Sequence, residues 1–332
     1  MSAGMFFLIG AQRSGTTLLR LMLNAHPELA VPEEGTFWMP LLRSHGNRPE
    51  AVLQGRELAN LLDYVRANSQ FRLWGLDDAE ARAQALAEPN LTPARLMEIF
   101  YAAYARSRGK TRAGDKTPSF FRMVPALATL FPQARFIHIL RDGRDIHLSL
   151  KSMGVSSGLA VDALEWTHKV TRARRDLAAL PPERVCELRY EDLLAAPEER
   201  LRAICALLEL PFDPAMLDFW KTSGKYIGSH HSERIFQPIA PDNVRKWERR
   251  MAPADIRAFQ AVAGRTLAEL GYDPGPPPGP LDRLRAGLAL SWGVPARLSR
   301  VASTALRLGL ASRLGLATDA AGKGEAAKNL DP

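Results

Sequence analysis

Short apolar runs alternate with amphipathic stretches along most of the chain. Residues 5–9 (Met5-Phe6-Phe7-Leu8-Ile9) form a run of buried-strand length, and a helical period follows over 15–25. A brief extended piece, Leu29-Ala30-Val31, comes next, then helical periods near 50–66, 78–87 and 93–107. Thr92-Pro93 supplies an N-cap and a first helical residue for the last of these. Asp115-Lys116-Thr117-Pro118 has no apolar period and reads as a short turn before a helix near 119–130. The pattern then predicts a strand at 135–140, helices at 143–152 and 160–179, a strand at 184–189, and a helix at 197–208 opened by Pro197. Strands that alternate with helices imply an α/β fold, a parallel sheet flanked by helices on both faces. In such sheets ligands bind at the carboxyl ends of the strands.

The pattern changes after Tyr272. Residues 1–273 read as one α/β domain, and 274–280 as a Pro/Gly linker of polyproline character. Residues 281–316 read as a basic amphipathic helical segment, with Pro295 breaking any single long helix. Leu284, Leu288 and Trp292 stand at helical spacing with arginines between them, which suits packing on the domain or lying on anionic lipid. The small, polar residues 317–332 read as a disordered tail.

Composition narrows the classes. With 46% hydrophobic residues the chain can bury a sizeable core, and its net charge of +8 favours anionic ligands or surfaces. The two cysteines, Cys186 and Cys205, fall in an apolar strand and on an apolar helix face, as reduced core residues do. No His/Cys/Asp/Glu cluster has metal-ligand spacing, so no metal is expected. Residues 5–9 are too few to span a membrane and no secretory leader is visible, so the simplest location is the cytoplasm. No nucleic-acid partner is expected, and the oligomeric state is unreadable.

The chemistry begins at Gly10-Ala11-Gln12-Arg13-Ser14-Gly15-Thr16-Thr17, between the first strand and the first helix. It is almost a P-loop, G-x-x-x-x-G-K-[ST]. Gly10, Gly15 and Thr17 are in place, but Thr16 stands where the lysine would reach the β- and γ-phosphates of a triphosphate. Backbone N–H groups at a helix N-terminus still hold an anion, with Arg13 and Ser14 beside them. A second strand end, Arg141-Asp142-Gly143-Arg144, leads into a helix carrying Ser149. A guanidinium and a hydroxyl there suit a second phosphate.

These two segments resemble those of sulfotransferases that use 3′-phosphoadenosine 5′-phosphosulfate (PAPS). The resemblance extends to Pro32-Glu33-Glu34, Asp115-Lys116-Thr117-Pro118, Tyr190-Glu191-Asp192-Leu193 and Val244-Arg245-Lys246-Trp247, in order, and is strongest with the tyrosylprotein and carbohydrate branch. It implies the sulfotransferase type of P-loop-like fold and metal-independent, in-line transfer of a sulfuryl group from PAPS to a hydroxyl or amine, leaving PAP. It places the catalytic base on Glu34, charge-stabilising cations on Lys116 and Arg13, and the 5′-phosphosulfate on Gly10 and Arg13 to Thr17. The 3′-phosphate falls to Arg141 and Ser149, with Tyr190 against the nucleotide and Lys246 in a closing loop. The acceptor, whether peptide, glycan or small molecule, is not readable.

Each residue also has a plainer reading. Glu33-Glu34 suits a helix start, Lys116 a solvated turn, Tyr190 the core, and Arg144 and Asp145 local pairs. His138 reads as a core residue, His230-His231 as a loop pair or as the lining of an acceptor pocket, and Ser229 lies in the region of the closing loop. Two other functions fit the first loop alone: a kinase-like phosphotransferase with a degenerate loop, and a non-catalytic nucleotide-binding module.

Overall fold

The computed structural model describes residues 4–225, 236–240 and 243–313. Ser229, His230, His231 and the tail 317–332 lie outside the described residues. Two compact units divide the chain: residues 1–141 with 169–244, and residues 142–168 with 245–332.

The first unit contains a five-stranded, all-parallel sheet. Its strands are β1 (Phe6–Gly10), β2 (Leu29–Ala30), β3 (Arg112–Lys116), β4 (Arg135–Leu140) and β5 (Val185–Arg189), in the spatial order β2-β3-β1-β4-β5. From β1 the chain crosses to β2 at one edge, and after β3 it returns past β1 to β4. The order therefore reverses at the centre, where α/β sheets open a crevice outside the strand ends. The period of two along β1 separates two cores. Phe7 and Ile9 join Trp38, Phe71, Trp74 and Phe100 on one face. Phe6 and Leu8 join Leu19, Leu23, Ile137 and Leu201 on the other. Burial on both faces explains why β1 and β4 read as continuous apolar runs rather than alternating ones.

The predicted turn at Asp115-Lys116 is instead the end of β3. The strand Arg-Ala-Gly-Asp-Lys is wholly buried although it lacks an apolar run. It is accommodated because its charged side chains find partners in distant segments. The helix predicted over 119–130 is a 3-10 turn, Pro118–Arg122, followed by a helix, Val124–Leu130. Cys205 is buried, Cys186 half-buried, and both are free thiols.

In the second unit Gly143 lies against Trp166 and Phe259, where a Cβ would come within 2.5 Å of the indole. The Arg144 guanidinium stacks 3.4 Å over Trp247 and donates to Asp142 and to the Asp273 carbonyl (2.7 Å). Arg144 thus ties down the start of the Pro-rich stretch. The C-terminal helix runs unbroken from Pro280 to Arg313 with Pro295 inside it, contrary to the expected break. Proline removes one i→i−4 hydrogen bond there without ending the helix. None of the described helices is long and apolar enough to cross a membrane.

Candidate functional site at the strand ends

The segments that leave the five strands of the first unit carry most of the candidate residues. Gly10 ends β1 and opens the loop to the helix Thr16–Ala25. Gly10 pairs with Ile139 of β4, two residues before Arg141, while Leu8 pairs with Lys116 at the end of β3. Arg189 pairs with Leu140 and is followed by Tyr190. Glu33 and Glu34 follow β2.

The loop after β1 is a backbone cradle. Arg13 and Gly15 both have positive φ, 68° and 94°. Gly15 has no room for a side chain, since a Cβ would fall 2.3 Å from the Tyr190 ring. No side chain caps the helix that starts at Thr16, and the first N–H groups of a helix have no partner within it. Ser14 is buried and its Oγ has no hydrogen-bond partner among the described residues. Uncapped N–H groups and an orphaned hydroxyl fit an anion such as a phosphosulfate.

Arg141 and Tyr190 brace this loop. Arg141 donates to the Arg13 carbonyl (3.0 Å) and the Asn243 carbonyl (3.1 Å). Its guanidinium lies 4.4 Å from the centre of the Tyr190 ring. The Tyr190 hydroxyl accepts from Asn243 Nδ2 at 2.5 Å. Tyr190 is therefore a buried tyrosine with a satisfied hydroxyl, wedged between Gly15 and Arg141.

A second cluster is built from side chains. Lys116, only 1% exposed, lies 3.1 Å from Glu34 Oε1 and 3.8 Å from Glu33 Oε2. The solvated-turn reading of Lys116 is thereby excluded. Arg20, one turn into the loop's helix and equally buried, donates to Glu33 Oε1 at 2.7 Å. The main chain is held on both sides of Glu34. Trp74 Nε1 donates to the Glu33 carbonyl (2.9 Å), and the Gly35 N–H donates to Thr117 Oγ1 (2.7 Å). Upstream, the Asn24 amide clamps Val31 by donating to its carbonyl (2.8 Å) and accepting from its N–H (2.9 Å). Thr117 in turn donates to Asp115 Oδ2 (3.1 Å), which also accepts from the Tyr101 hydroxyl (2.6 Å). Burial pushes the Asp115 carboxyl up to about 6, against the hydrogen bonds from Tyr101 and Thr117 and the charge of Lys116; Glu34 adds to the rise. Burial, and then the Asp115 charge, raise the Tyr101 hydroxyl well above its usual range.

Sequence reasoning passed over Arg20, Trp74, Tyr101 and Asn243. Arg20 alone had a local signal, a charge flanked by Leu19 and Leu21 in an otherwise apolar helix. Ser149 and Lys246 belong to the second unit. Ser149 is half-buried on the helix Gly143–Ser152, and Lys246 precedes the short helix Trp247–Arg250. There Asp145 accepts from the Trp247 N–H at 2.9 Å. His138 is fully buried and bonds to Glu187 (3.0 Å), as a core histidine does. Among the described residues no group of three or more His, Cys, Asp or Glu is arranged to hold a metal ion.

Known proteins are similar to this chain. A model of the Sulfotransferase family matches residues 6–214, more than half of the chain. Protein-tyrosine sulfotransferase 1 of Danio rerio is 27% identical over 283 residues, covering 81% of this chain and 72% of that protein. The protein-tyrosine sulfotransferase of Drosophila melanogaster is 26% identical over 285 residues, covering 81% of this chain and 52% of that protein. Among solved structures, the sulfotransferase domain from the curacin biosynthetic pathway superposes with a TM-score of 0.55 at 21% identity, covering 81% of this chain and 98% of that one. That likeness is one of fold.

Proposed function

The chain belongs to the sulfotransferase family, and from that premise we propose that it moves the sulfuryl group of PAPS to a hydroxyl or amine, with Glu34 as the base. The family sets aside the kinase-like reading. The observation that carries the proposal is the contact between half-buried Glu34 and buried Lys116, 3.1 Å, with Lys116 on the strand neighbouring the one that ends in the anion loop.

In this reading the acceptor oxygen attacks sulfur opposite the bridging oxygen of the donor. Its proton passes to Glu34, the sulfur–oxygen bond to the phosphate breaks, and PAP leaves with the electron pair. A carboxylate paired with an ammonium is a poor base. Lys116 therefore has two tasks: it neutralises Glu34 in the free enzyme and turns its charge to the bridging oxygen when the donor binds. Arg13 and the loop amides take the phosphosulfate, and Arg141 the 3′-phosphate. Ser149, Tyr190 and Lys246 enter on the resemblance alone. Fixed cations take the place that a metal ion has in other phosphate-handling sites.

The relatives named protein-tyrosine sulfotransferase make a tyrosine peptide the first acceptor to try, followed by glycans and small hydroxylated molecules. The test is Glu34→Gln with labelled PAPS and whichever acceptor is turned over. Turnover is expected to fall by roughly 10²–10⁴ with PAP affinity near that of the wild type. Full activity in Glu34→Gln would make Glu34 structural.

A further inference from the structure

The C-terminal helix Pro280–Arg313 turns most of its large apolar side chains outward. Helices on soluble proteins turn their apolar stripe toward the core. Here the contacts that hold the helix to the second unit are largely polar or small. Asp282 accepts from Arg257 (3.2 Å), Ala286 is buried, Gly293 faces Val161, and Arg297 pairs with Glu165 and donates to Ser157 Oγ (2.8 Å). Leu290 and Val294 are half-buried on this inner face, but the larger apolar row points away. Leu281, Leu284, Leu288 and Trp292 recur at the three- and four-residue spacing of one helix face and are 57%, 60%, 55% and 80% exposed. With Leu298 they make up five of the eleven exposed large apolar side chains among the described residues. The two ion pairs fix the rotation of the helix, so this row faces outward as part of the folded unit.

Charge identifies what covers the row. The helix contains six arginines (283, 285, 297, 300, 307 and 313) and one acid, Asp282, and no lysine. Asp282 and Arg297 are used in docking, which leaves Arg283 and Arg285 exposed beside the apolar row. A second copy of the chain would be a poor occupant, because a two-fold contact sets the same basic face against itself. Leucines and an exposed tryptophan flanked by arginines suit the headgroup region of an anionic bilayer, where the apolar row sinks in and the guanidinium groups meet phosphates. The helix is too polar to span, so it lies on the surface. We propose that this face of the C-terminal helix docks the enzyme on anionic membranes, independently of the sulfuryl-transfer chemistry.

The test uses the full-length protein and extruded vesicles. Vesicles of phosphatidylcholine with about 30% phosphatidylserine should sediment the protein at roughly 50 mM salt and release it near 0.5 M, and pure phosphatidylcholine should bind it weakly. Trp292 is the one exposed tryptophan, the other five being buried or half-buried, so emission should shift to the blue on binding. Leu288→Glu with Trp292→Glu should weaken vesicle binding at least about tenfold while the melting temperature stays near that of the wild type. Arg283→Glu with Arg285→Glu should abolish the preference for phosphatidylserine. The proposal is overturned if the wild type fails to sediment with anionic vesicles at low salt, or if the apolar-face variant binds them as well as the wild type. It is equally overturned if sedimentation velocity shows a dimer that this variant dissociates while vesicles leave both proteins in solution.

Discussion

Two neighbouring parts of the first unit handle charge in opposite ways. The loop after β1 presents backbone N–H groups, two positive-φ residues and an orphaned serine hydroxyl, all from one short stretch of chain. The cluster around Glu34 contains one buried and one half-buried carboxylate and two buried cations, drawn from the loop helix, the exit of β2 and the end of β3. A backbone cradle holds its shape with or without an anion, so it suits recognition. A network of balanced side-chain charges changes when a further charge or a proton enters, so it suits chemistry. Arg20 joins the two, because the helix whose first turn faces the anion loop also carries the partner of Glu33.

The largest effect should come from unbalancing the second region. Lys116→Met leaves two carboxylates, Glu33 buried and Glu34 half-buried, facing one arginine. Removing one member of a buried ion pair typically costs about 3–5 kcal/mol, and denaturant melts should register a loss of that order together with lost turnover. Adding Glu34→Gln to it should recover much of the stability and none of the activity. If Lys116→Met melts like the wild type, the cluster is not held together by charge balance.

The two regions also differed in how far the sequence disclosed them. The loop was legible because everything it needs is contiguous: an apolar strand, glycines at P-loop spacing, and hydroxyl residues at a helix start. The strand order of the α/β sheet was legible only as a class. β3 was not, since Arg112-Ala113-Gly114-Asp115-Lys116 shows no apolar period. Its burial rests on the Leu208 carbonyl for Arg112, on Tyr101 for Asp115 and on Glu34 for Lys116. Gly114 belongs to the same account, because a Cβ there would fall 2.2 Å from the Phe6 ring. Such long-range satisfaction leaves no mark on local periodicity. The same limit applies to the C-terminal helix, whose apolar spacing was readable but whose outward mounting depends on Arg257 and Glu165.

Asp115 gives the next effect, and its sign is opposite to that of a salt-bridged carboxylate. Burial raises it from 3.8 to about 6 in the folded protein. Between those values the unfolded chain releases the proton that the native state keeps, so stability falls as pH rises from about 4 to about 6 and is level above that. The fall attributable to Asp115 is at most roughly 3 kcal/mol. Asp115→Asn retains a carbonyl acceptor for Tyr101 and Thr117 and should remove this slope. An unchanged difference between the two proteins from pH 4 to pH 7 would show that Asp115 ionises as an ordinary carboxyl.

Within the first region the smaller change is Gly15→Ala. The residue sits at a φ of 94° against Tyr190, and strain of this kind costs about 1–3 kcal/mol. PAP affinity should fall severalfold or more, since the cradle must shift, while the Glu34 cluster is untouched. A variant that binds PAP as well as the wild type would show that the loop amides do not form the anion site.

Calorimetric titration of the wild-type protein with PAP and with 5′-AMP tests the central assignment most directly. The two ligands differ only in the 3′-phosphate, which the account gives to Arg141. A charge-assisted phosphate contact is worth about 1.5–3 kcal/mol, so PAP should bind at least roughly tenfold more tightly than AMP, and Arg141→Lys should narrow that gap. Equal affinity for PAP and AMP would contradict the assignment of these strand ends to a 3′-phosphorylated nucleotide.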